Sequence, residues 1–366
     1  MRFLTAGETH GKGLITVIEG FPSNVPMEAE KINKYLALRQ MGYGRGGRMK
    51  IETDKAEFIS GVRNNLTLGS PISIFIKNRD YENWSSIMCP EEIEEGREVY
   101  CPRPGHADLT GSIKYDHKDM RNVLERASAR ETAARVAAGA AAMCLLEQFG
   151  ITVKSHVVEI GNVKANGEYN EDAVNASELR CSDKSAEDKM KAYIDKAKAD
   201  GDSVGGIFEI IISGVPAGLG SYVQWDRKLD AKLSMALMSI QAIKGVEFGL
   251  GFDCARRYGS AVHDPINTDY TRKTNNAGGI EGGMSNGEDI IIRAAMKPIP
   301  TLYTPLDTVN MLTGEKTQAS VERSDICAVP AASVVGMCAA AFVIADEFLN
   351  KYSGDNLAEI KRNYKA

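Results

Sequence analysis

The sequence is short of the features that mark secreted, membrane-spanning and nucleic-acid-binding proteins. Its seven cysteines include no C-x-x-C pair, and an odd number without framework spacing is typical of reduced thiols in the cytosol. The N-terminal stretch MRFLTAGETHGKG lacks the apolar region of a signal peptide, and no run of about 18 apolar residues indicates a membrane span. The net charge of −5 argues against a general nucleic-acid binder. We therefore expect a cytoplasmic protein that binds neither a membrane nor nucleic acid.

What the chain does contain is the composition of a soluble globular protein. Its 366 residues are 43% hydrophobic and 25% charged, which is enough to bury a sizeable core. The hydrophobic patterns predict strands at 14–20, 71–78 and 206–216, and helices at 26–41, 119–149, 226–243 and 329–351. The segment 162–202 is charged and polar, so we predict a surface insertion with one exposed helix at 184–200.

Two of the predicted helices are rich in alanine. Nine alanines fall between residues 127 and 142, and Arg135 is the only charge between Ala133 and Leu146. The second such helix is 329–351. A helix that is apolar on all sides is buried, and small side chains allow backbones to approach closely. Both helices are therefore expected in the core.

Two stretches of the first half recur in the second half. GETHGKGLITVIEGFP, from Gly7, aligns without a gap with GDSVGGIFEIIISGVP, from Gly201. SGVRNNLTLGSPISI, from Ser60, aligns with GGIEGGMSNGEDIII, from Gly278. The common order of these matches predicts a pseudo-twofold molecule. We expect an α+β fold, a β-α-β sandwich in a single domain 1–366. Its halves, about 1–150 and 201–350, place antiparallel sheets outside and the alanine-rich helices between them.

Three polar segments carry candidate chemistry, and the residues alone leave each of them with two readings. GETHGKG (7–13) lacks the P-loop spacing; it either holds an anion while His10 protonates a leaving oxygen, or is a turn with an exposed histidine. LRQMGYGRGGRMKIETD (38–54) suits a phosphate or carboxylate, or is a solvated basic turn. RPGHADLTG (103–111), a loop broken by Pro and Gly, offers His106 as an acid or base, or as a structural histidine. One histidine and one aspartate do not predict a metal site.

Taken together, the motifs resemble the chorismate synthase family. They include GETHGKG, GYGRGGRMKIE, RPGHADLTGSIKY, ERASARETAARVAAGA, GGIEGGMSNGEDI and RSDICAVPAA, and they are spread over residues 1–349. The resemblance implies a carbon–oxygen lyase of the shikimate pathway. This enzyme converts 5-enolpyruvylshikimate 3-phosphate into chorismate and phosphate by a 1,4-anti elimination. It also implies reduced FMN as cofactor without net redox change, no metal, and a homotetramer of β-α-β sandwiches.

The resemblance assigns roles to individual residues as well. His10 matches the acid that protonates the departing phosphate, His106 the group beside the N1 and C2=O edge of the flavin, and Asp325 the base that acts through flavin N5. Substrate anions would be bound by Arg39, Arg45 and Arg48, and NADPH by Arg39 and Arg45. The residues that match the flavin site are Arg126, Ala127, Ser128, Gln241, Ala242, Gly282, Lys297, Pro298, Ile299, Pro300, Thr301 and Arg323.

Two other functions remain open from the sequence. GYGRGGR resembles an RGG element, which would indicate an RNA-binding module. Another flavin enzyme on the same scaffold would bind FMN and ignore the shikimate substrate. The sequence contains no separate reductase domain, so we expect an external flavin reductant, with NADPH acting only indirectly.

Overall fold

The computed structural model of the protein describes residues 1–46, 53–92, 94–322 and 324–365, so Arg48 and Arg323 lie outside the described residues. The strands are β1 (Arg2–Ala6), β2 (Gly13–Glu19), β3 (Ala56–Ser60), β4 (Val62–Arg63), β5 (Leu66–Thr67), β6 (Ile72–Lys77), β7 (Thr152–Ile160), β8 (Val163–Lys164), β9 (Gly206–Ser213), β10 (Ile243–Phe248), β11 (Ile280–Glu281), β12 (Met284–Ser285), β13 (Ile290–Met296), β14 (Asp307–Val309) and β15 (Lys316–Gln318). The helices are α1 (Ala29–Gln40), α2 (Asp108–Tyr115), α3 (Arg121–Ala127), α4 (Thr132–Leu146), α5 (Glu171–Ala176), α6 (Lys184–Ala199), α7 (Leu229–Met238), α8 (Val329–Lys351) and α9 (Leu357–Lys365).

Two antiparallel sheets form the outer layers of the molecule. The first has the strand order β1-β2-β6-β3, and the second has the order β10-β13-β9-β7-β8. Burial alternates along their strands: in β2, Leu14 and Ile18 are buried, whereas Ile15 and Val17 are exposed. This alternation is what a strand shows when one face of its sheet covers the core.

The alanine-rich helices lie between the sheets. α4 packs against β2, α8 packs against β7 and β9, and the two helices pack against each other. Their backbones approach so closely that a β-carbon at Gly139 would collide with the carbonyl oxygen of Cys338. Within the described chain, α8 alone is long and apolar enough to cross a membrane, but it is mostly buried, as a core helix is. The predicted α+β sandwich is confirmed.

The two sheets repeat each other in strand order and in register. Gly13 pairs with Lys77 between β2 and β6. The sequence repeat maps this pair onto Ile207 and Ala295, which are partners between β9 and β13. The hairpin β4–β5 likewise corresponds to β11–β12. In the second sheet β7 lies beside β9 as β1 lies beside β2 in the first. By this correspondence the second half of the fold begins at Thr152, the first residue of β7, whereas the sequence repeat placed its start at residue 201.

The helix predicted at 119–149 is interrupted in its first half. α3 ends at Ala127, and Ser128 has extended backbone angles of φ −62° and ψ 144°. The hydroxyl of Ser128 accepts a hydrogen bond from the backbone N–H of Arg130, and a short 3-10 turn leads into α4. A serine that caps the following turn in this way competes with helix continuation, which helical periodicity does not register. The break places Ala127, Ser128 and Ala129 at the surface of a cleft described below.

Three other local predictions differ from the structure. The helix predicted at 226–243 ends at Met238, and Ala242 takes a left-handed φ of 67° before β10 begins. The 103–111 segment is not irregular throughout, because α2 begins at Asp108. The predicted exposed helix, α6, is exposed on one face only, since Met190 and Ile194 are buried in the main core.

Candidate active site

A cleft of about 710 Å³ collects loops that are far apart in the sequence. Of the residues predicted as functional, those that line it are His10, Arg39, Arg45, His106, Ala127, Ser128, Gln241, Ala242, Lys297, Ile299, Pro300, Thr301 and Asp325. Three described candidates do not line it. Arg126 instead donates hydrogen bonds to the carbonyl oxygens of Thr5 and Gly7, Gly282 lies in the β11–β12 hairpin, and Pro298 is left out while its neighbours take part.

His10 is held in the loop between β1 and β2. The loop closes tightly: Gly7 has a φ of 107°, and a β-carbon there would collide with the carbonyl oxygen of Gly13. The backbone N–H of His10 and its ring atom Nδ1 each lie 2.8 Å from an oxygen of the Glu125 carboxylate. The imidazole stacks on the indole of Trp84 with ring centroids 3.8 Å apart. His10 is therefore fixed from two sides, and the reading as a loosely exposed turn histidine does not fit.

Glu125 is a buried partner of His10 that the sequence did not indicate. Burial alone would raise the pKa of its carboxyl group, but the hydrogen bonds and charge of His10, together with the charge of Arg121, bring the pKa below its ordinary value. The carboxylate is consequently ionised at neutral pH. Its spacing from Arg121, four residues earlier on α3, was visible in the sequence as an ion-pair signal. Nothing in the sequence connected it with a histidine 115 residues away.

His106 is also held by a buried carboxylate. Its Nδ1 lies 2.5 Å from Oδ1 of Asp108, and Arg103 donates to both oxygens of the same carboxylate, at 2.8 and 3.1 Å. Burial would raise the pKa of Asp108, but the hydrogen bonds from His106 and Arg103 outweigh it and lower the pKa well below the ordinary range. Arg103 also donates to the hydroxyl of Thr301, and Nζ of Lys297 donates to the carbonyl oxygen of Gly105. These bonds join the His106 loop to the predicted 297–301 flavin segment.

The arginines of the 38–54 loop differ in what they bind. Arg39 is buried, and its guanidinium donates to the Thr132 hydroxyl, to Asp54 and to the carbonyl oxygen of Ala129. Burial, opposed by the charge of Asp54, lowers the pKa of Arg39 to about 10. Its charge therefore lies in the wall of the cleft, and all three guanidinium nitrogens donate hydrogen bonds to protein groups. Such a position does not suit a surface RNA contact.

Arg45 and Asp325 meet across the cleft. Nη1 of Arg45 lies 3.0 Å from Oδ2 of Asp325, and the backbone N–H of Gly46 donates to Oδ1 at 2.6 Å. The predicted base is thus oriented by the predicted substrate-binding loop, although the two are separated by 279 residues. The pairing ties the loop after α1 to the start of α8.

The charged lining of the cleft is mainly cationic, in contrast to the acidic chain as a whole. Cations are supplied by Arg39, Arg45, Arg97, Arg103, Arg130 and Lys297, and carboxylates by Asp80, Glu322 and Asp325. Part of the lining is apolar and includes Ala127, Ala328, Ala331, Ala332 and Val335. Such a cleft accommodates a small molecule with several negative charges beside a flat apolar group.

Two carboxylate-supported histidines in a cationic cleft define an enzyme that acts on an anionic small molecule. The family model described as chorismate synthase matches residues 1–349. A chorismate synthase from Pelobacter propionicus is 58% identical, with 100% of this chain and 98% of that protein covered, and one from Alkaliphilus metalliredigens is 60% identical with the same coverage. A crystal structure of a chorismate synthase superposes with a TM-score of 0.81 at 44% identity, covering 100% of this chain and 96% of that one. The chain belongs to the chorismate synthase family.

Proposed function

We propose that this protein converts 5-enolpyruvylshikimate 3-phosphate into chorismate and phosphate, as a carbon–oxygen lyase of the shikimate pathway. The observation that carries the proposal is the meeting of His10, His106 and Asp325 with the cationic lining in one cleft. These residues come from distant parts of the chain, and the family relationship supplies the reaction that such a set would serve.

The substrate chemistry agrees with the charges of the cleft. A phosphate and two carboxylates require several cations, and arginines bind such groups bidentately. In the elimination the C3–O bond to phosphate and the C6–H bond break, and the ring double bond at C1=C2 is replaced by double bonds at C1=C6 and C2=C3. One proton and one phosphate leave, so atoms and electrons balance without an external oxidant.

The geometry supports two proton-transfer roles in this proposal. His10 lines the cleft with Nδ1 turned to Glu125, so Nε2 is the ring atom suited to donate a proton to the departing phosphate oxygen. Asp325 accepts a hydrogen bond from Gly46 and forms an ion pair with Arg45, and these contacts hold its carboxylate at the cleft as the proposed base that assists removal of the C6 proton. His106, fixed by Asp108, lines the cleft beside the 297–301 segment and would bind the polar edge of the cofactor.

The described residues fit reduced FMN as cofactor. A cleft of about 710 Å³ is within the ~300–1,000 Å³ usual for such sites. Ala328, Ala331 and Ala332 provide an apolar wall for a flat ring. Oε1 of Gln241 is buried and has no hydrogen-bonding partner among the described residues, so it can accept a hydrogen bond from a ring N–H of the cofactor. When bound, reduced FMN would lend an electron to the substrate and recover it, so that no net redox change occurs. Gln241, Ala242, Lys297 and Thr301 would hold it, together with Ser128.

The remaining properties of the proposal concern assembly and the supply of the reduced cofactor. We propose a single-domain protomer, a homotetramer and a cytoplasmic location. An external reductant would keep the flavin reduced, with NADPH acting indirectly. Arg39 would contribute to NADPH or substrate binding through its charge, because its nitrogens are bonded to the protein.

An anaerobic assay with 5-enolpyruvylshikimate 3-phosphate and chemically reduced FMN tests the proposal. We expect chorismate absorbance and free phosphate to rise together, and no product with oxidised FMN alone. Oxidised FMN with NADPH is expected to give product only after an external flavin reductase is added. Tight FMN binding without phosphate release would point to a different flavin enzyme and would contradict the proposal.

A further inference from the structure

Glu125 makes an unusual pair of contacts with His10. One oxygen of the carboxylate lies 2.8 Å from the backbone nitrogen of His10, and the other lies 2.8 Å from its ring Nδ1. The side chain of Glu125 is 2% exposed and does not line the cleft, whereas His10 does. The carboxylate of Glu125 therefore contacts the lining of the cleft through His10, while its backbone carbonyl oxygen accepts hydrogen bonds from Thr9.

Because Nδ1 of His10 bonds to the buried Glu125, Nε2 is the ring nitrogen left to face the cleft that His10 lines. Since Glu125 is an ionised acceptor, Nδ1 must carry a proton in order to bond with it. Within the described parts of the chain, Nε2 has no hydrogen-bonding partner. The stack on the Trp84 indole restricts rotation of the imidazole ring. Arg97 lies over the same indole at 4.1 Å, which in turn holds Trp84 in place.

We propose that Glu125 is a positioning residue for the reaction, with Trp84 as its partner. The carboxylate fixes the Nδ1–H tautomer and the orientation of the ring, so that a proton carried on Nε2 faces the departing phosphate oxygen. In that step the Nε2–H bond breaks, a phosphate O–H bond forms, and His10 remains as a neutral ring protonated at Nδ1. The identity of the proton acceptor rests on the proposed function, but the geometry of the pair does not.

Several charged groups besides Glu125 surround His10. Arg121 of α3 lies 3.2 Å from the oxygen of Glu125 that faces the ring, and Glu322 lies 3.6 Å from Arg121. The other groups are Glu8 of the same loop, Asp80 across the cleft and Arg97 above Trp84. Of these described groups, Glu125 alone bonds to a ring nitrogen of His10, so its removal is expected to dominate any change in pH dependence.

The first experiment compares Glu125→Gln with Glu125→Asp in the holoenzyme. Glutamine keeps the size and can still accept from the backbone N–H, but it loses the charge. We expect kcat to fall about 10- to 100-fold, part of the contribution of general acid catalysis, and the basic limb of the pH profile to move to lower pH. KM is expected to change less than about threefold, because ground-state contacts stay. Glu125→Asp should keep the position of the basic limb while lowering kcat.

A control variant removes a carboxylate of the same kind elsewhere. Glu147→Gln breaks an exposed ion pair with Lys31, outside the cleft, and should leave kcat and the pH profile unchanged. If Glu125 only anchors the loop, Glu125→Gln should match this control in its pH profile, and that result would overturn the proposal.

The second experiment needs no substrate. Only two tryptophans are present, and Trp225 is 73% exposed, so Trp225→Phe leaves Trp84 as the sole reporter beside His10. An imidazolium stacked on indole quenches its emission, so the emission should rise with pH, and His10→Gln should abolish the step. Glu125→Gln should move the midpoint to lower pH. An unmoved midpoint would count against the proposal even if activity falls.

The two experiments separate the possible failures. If the shift in emission is found but no chorismate is formed by the wild type, the proposed function fails and the positioning stands. If Glu125→Gln does not fold, ¹⁵N-histidine spectra of the wild type decide, with His10 assigned through His10→Gln. Nδ1 must carry a proton on both sides of the emission step, and an unprotonated Nδ1 at high pH would refute the role of Glu125.

Discussion

Replacing Asp54 with asparagine is expected to destabilise the protein, because Asp54 forms buried ion pairs with two arginines in the wall of the cleft. The side chain of Asp54 is fully buried, and both of its oxygens lie within 2.8 Å of Nη1 of Arg130. Oδ2 also lies 3.4 Å from Nη1 of Arg39. One carboxylate thus compensates two buried guanidinium groups, and an amide of the same size cannot supply the missing charge.

The magnitude follows from the burial. Removing one member of a buried ion pair costs about 3–5 kcal/mol, because the remaining charges stay desolvated. At about 2.1 cal/mol/K per residue, unfolding 366 residues has an entropy near 0.8 kcal/mol/K, so Tm should fall by about 4–6 °C. The exposed pair between Lys31 and Glu147 offers a matched control, since Glu147→Gln should cost at most about 1 kcal/mol, or roughly 1 °C.

Thermal unfolding followed by circular dichroism, with both variants at the same protein concentration, measures the difference. Urea unfolding provides a second estimate of the lost free energy of unfolding. A Tm for Asp54→Asn within 1 °C of the Glu147→Gln value would refute the reasoning. It would mean that the two arginines do not depend on Asp54 in the folded state.

Three further outcomes are expected. Gly139→Ala should destabilise by about 1–3 kcal/mol or more in urea unfolding, because the new methyl group meets the backbone of Cys338; wild-type stability would refute this helix contact. The pKa of Asp108 is lower in the folded protein than its ordinary value near 4, so its ionised form stabilises the fold above that value, and this stabilisation is lost as pH falls towards the folded pKa. The Tm difference between wild type and Asp108→Asn should therefore shrink from pH 6 to pH 3. A constant difference would contradict this expectation. His106→Ala should keep the circular dichroism spectrum, since Arg103 and Asp108 stay paired, and lose about 10²- to 10⁴-fold in anaerobic turnover; undiminished turnover would remove His106 from the reaction.

Much of the fold was predictable because it rests on long patterns. The burial of α8 follows from its apolar length, and the strand repeat reappears as the register of β2–β6 and β9–β13. The break at Ser128 was not predictable, because a single side-chain hydrogen bond decides it against a continuous helical pattern. The buried face of α6 was missed because its apolar residues are few and widely spaced.

The candidate site divides in the same way. Family motifs led to His10, His106 and Asp325, and these residues line one cleft. The partners Glu125 and Trp84 were missed, since their role depends on contacts between distant segments that local sequence does not encode. The hydrogen bonds that the Arg39 guanidinium donates to Thr132, Asp54 and Ala129 were missed for the same reason.

The number of chorismate molecules formed for each reduced FMN tests the central claim most directly. The measurement is made without oxygen, with chorismate and phosphate counted together and flavin absorbance followed throughout. We predict many turnovers for each FMN, chorismate and phosphate in equal amounts, and a flavin that is still reduced at the end. One product for each FMN, with the flavin left oxidised, or phosphate released without chorismate, would contradict the assignment.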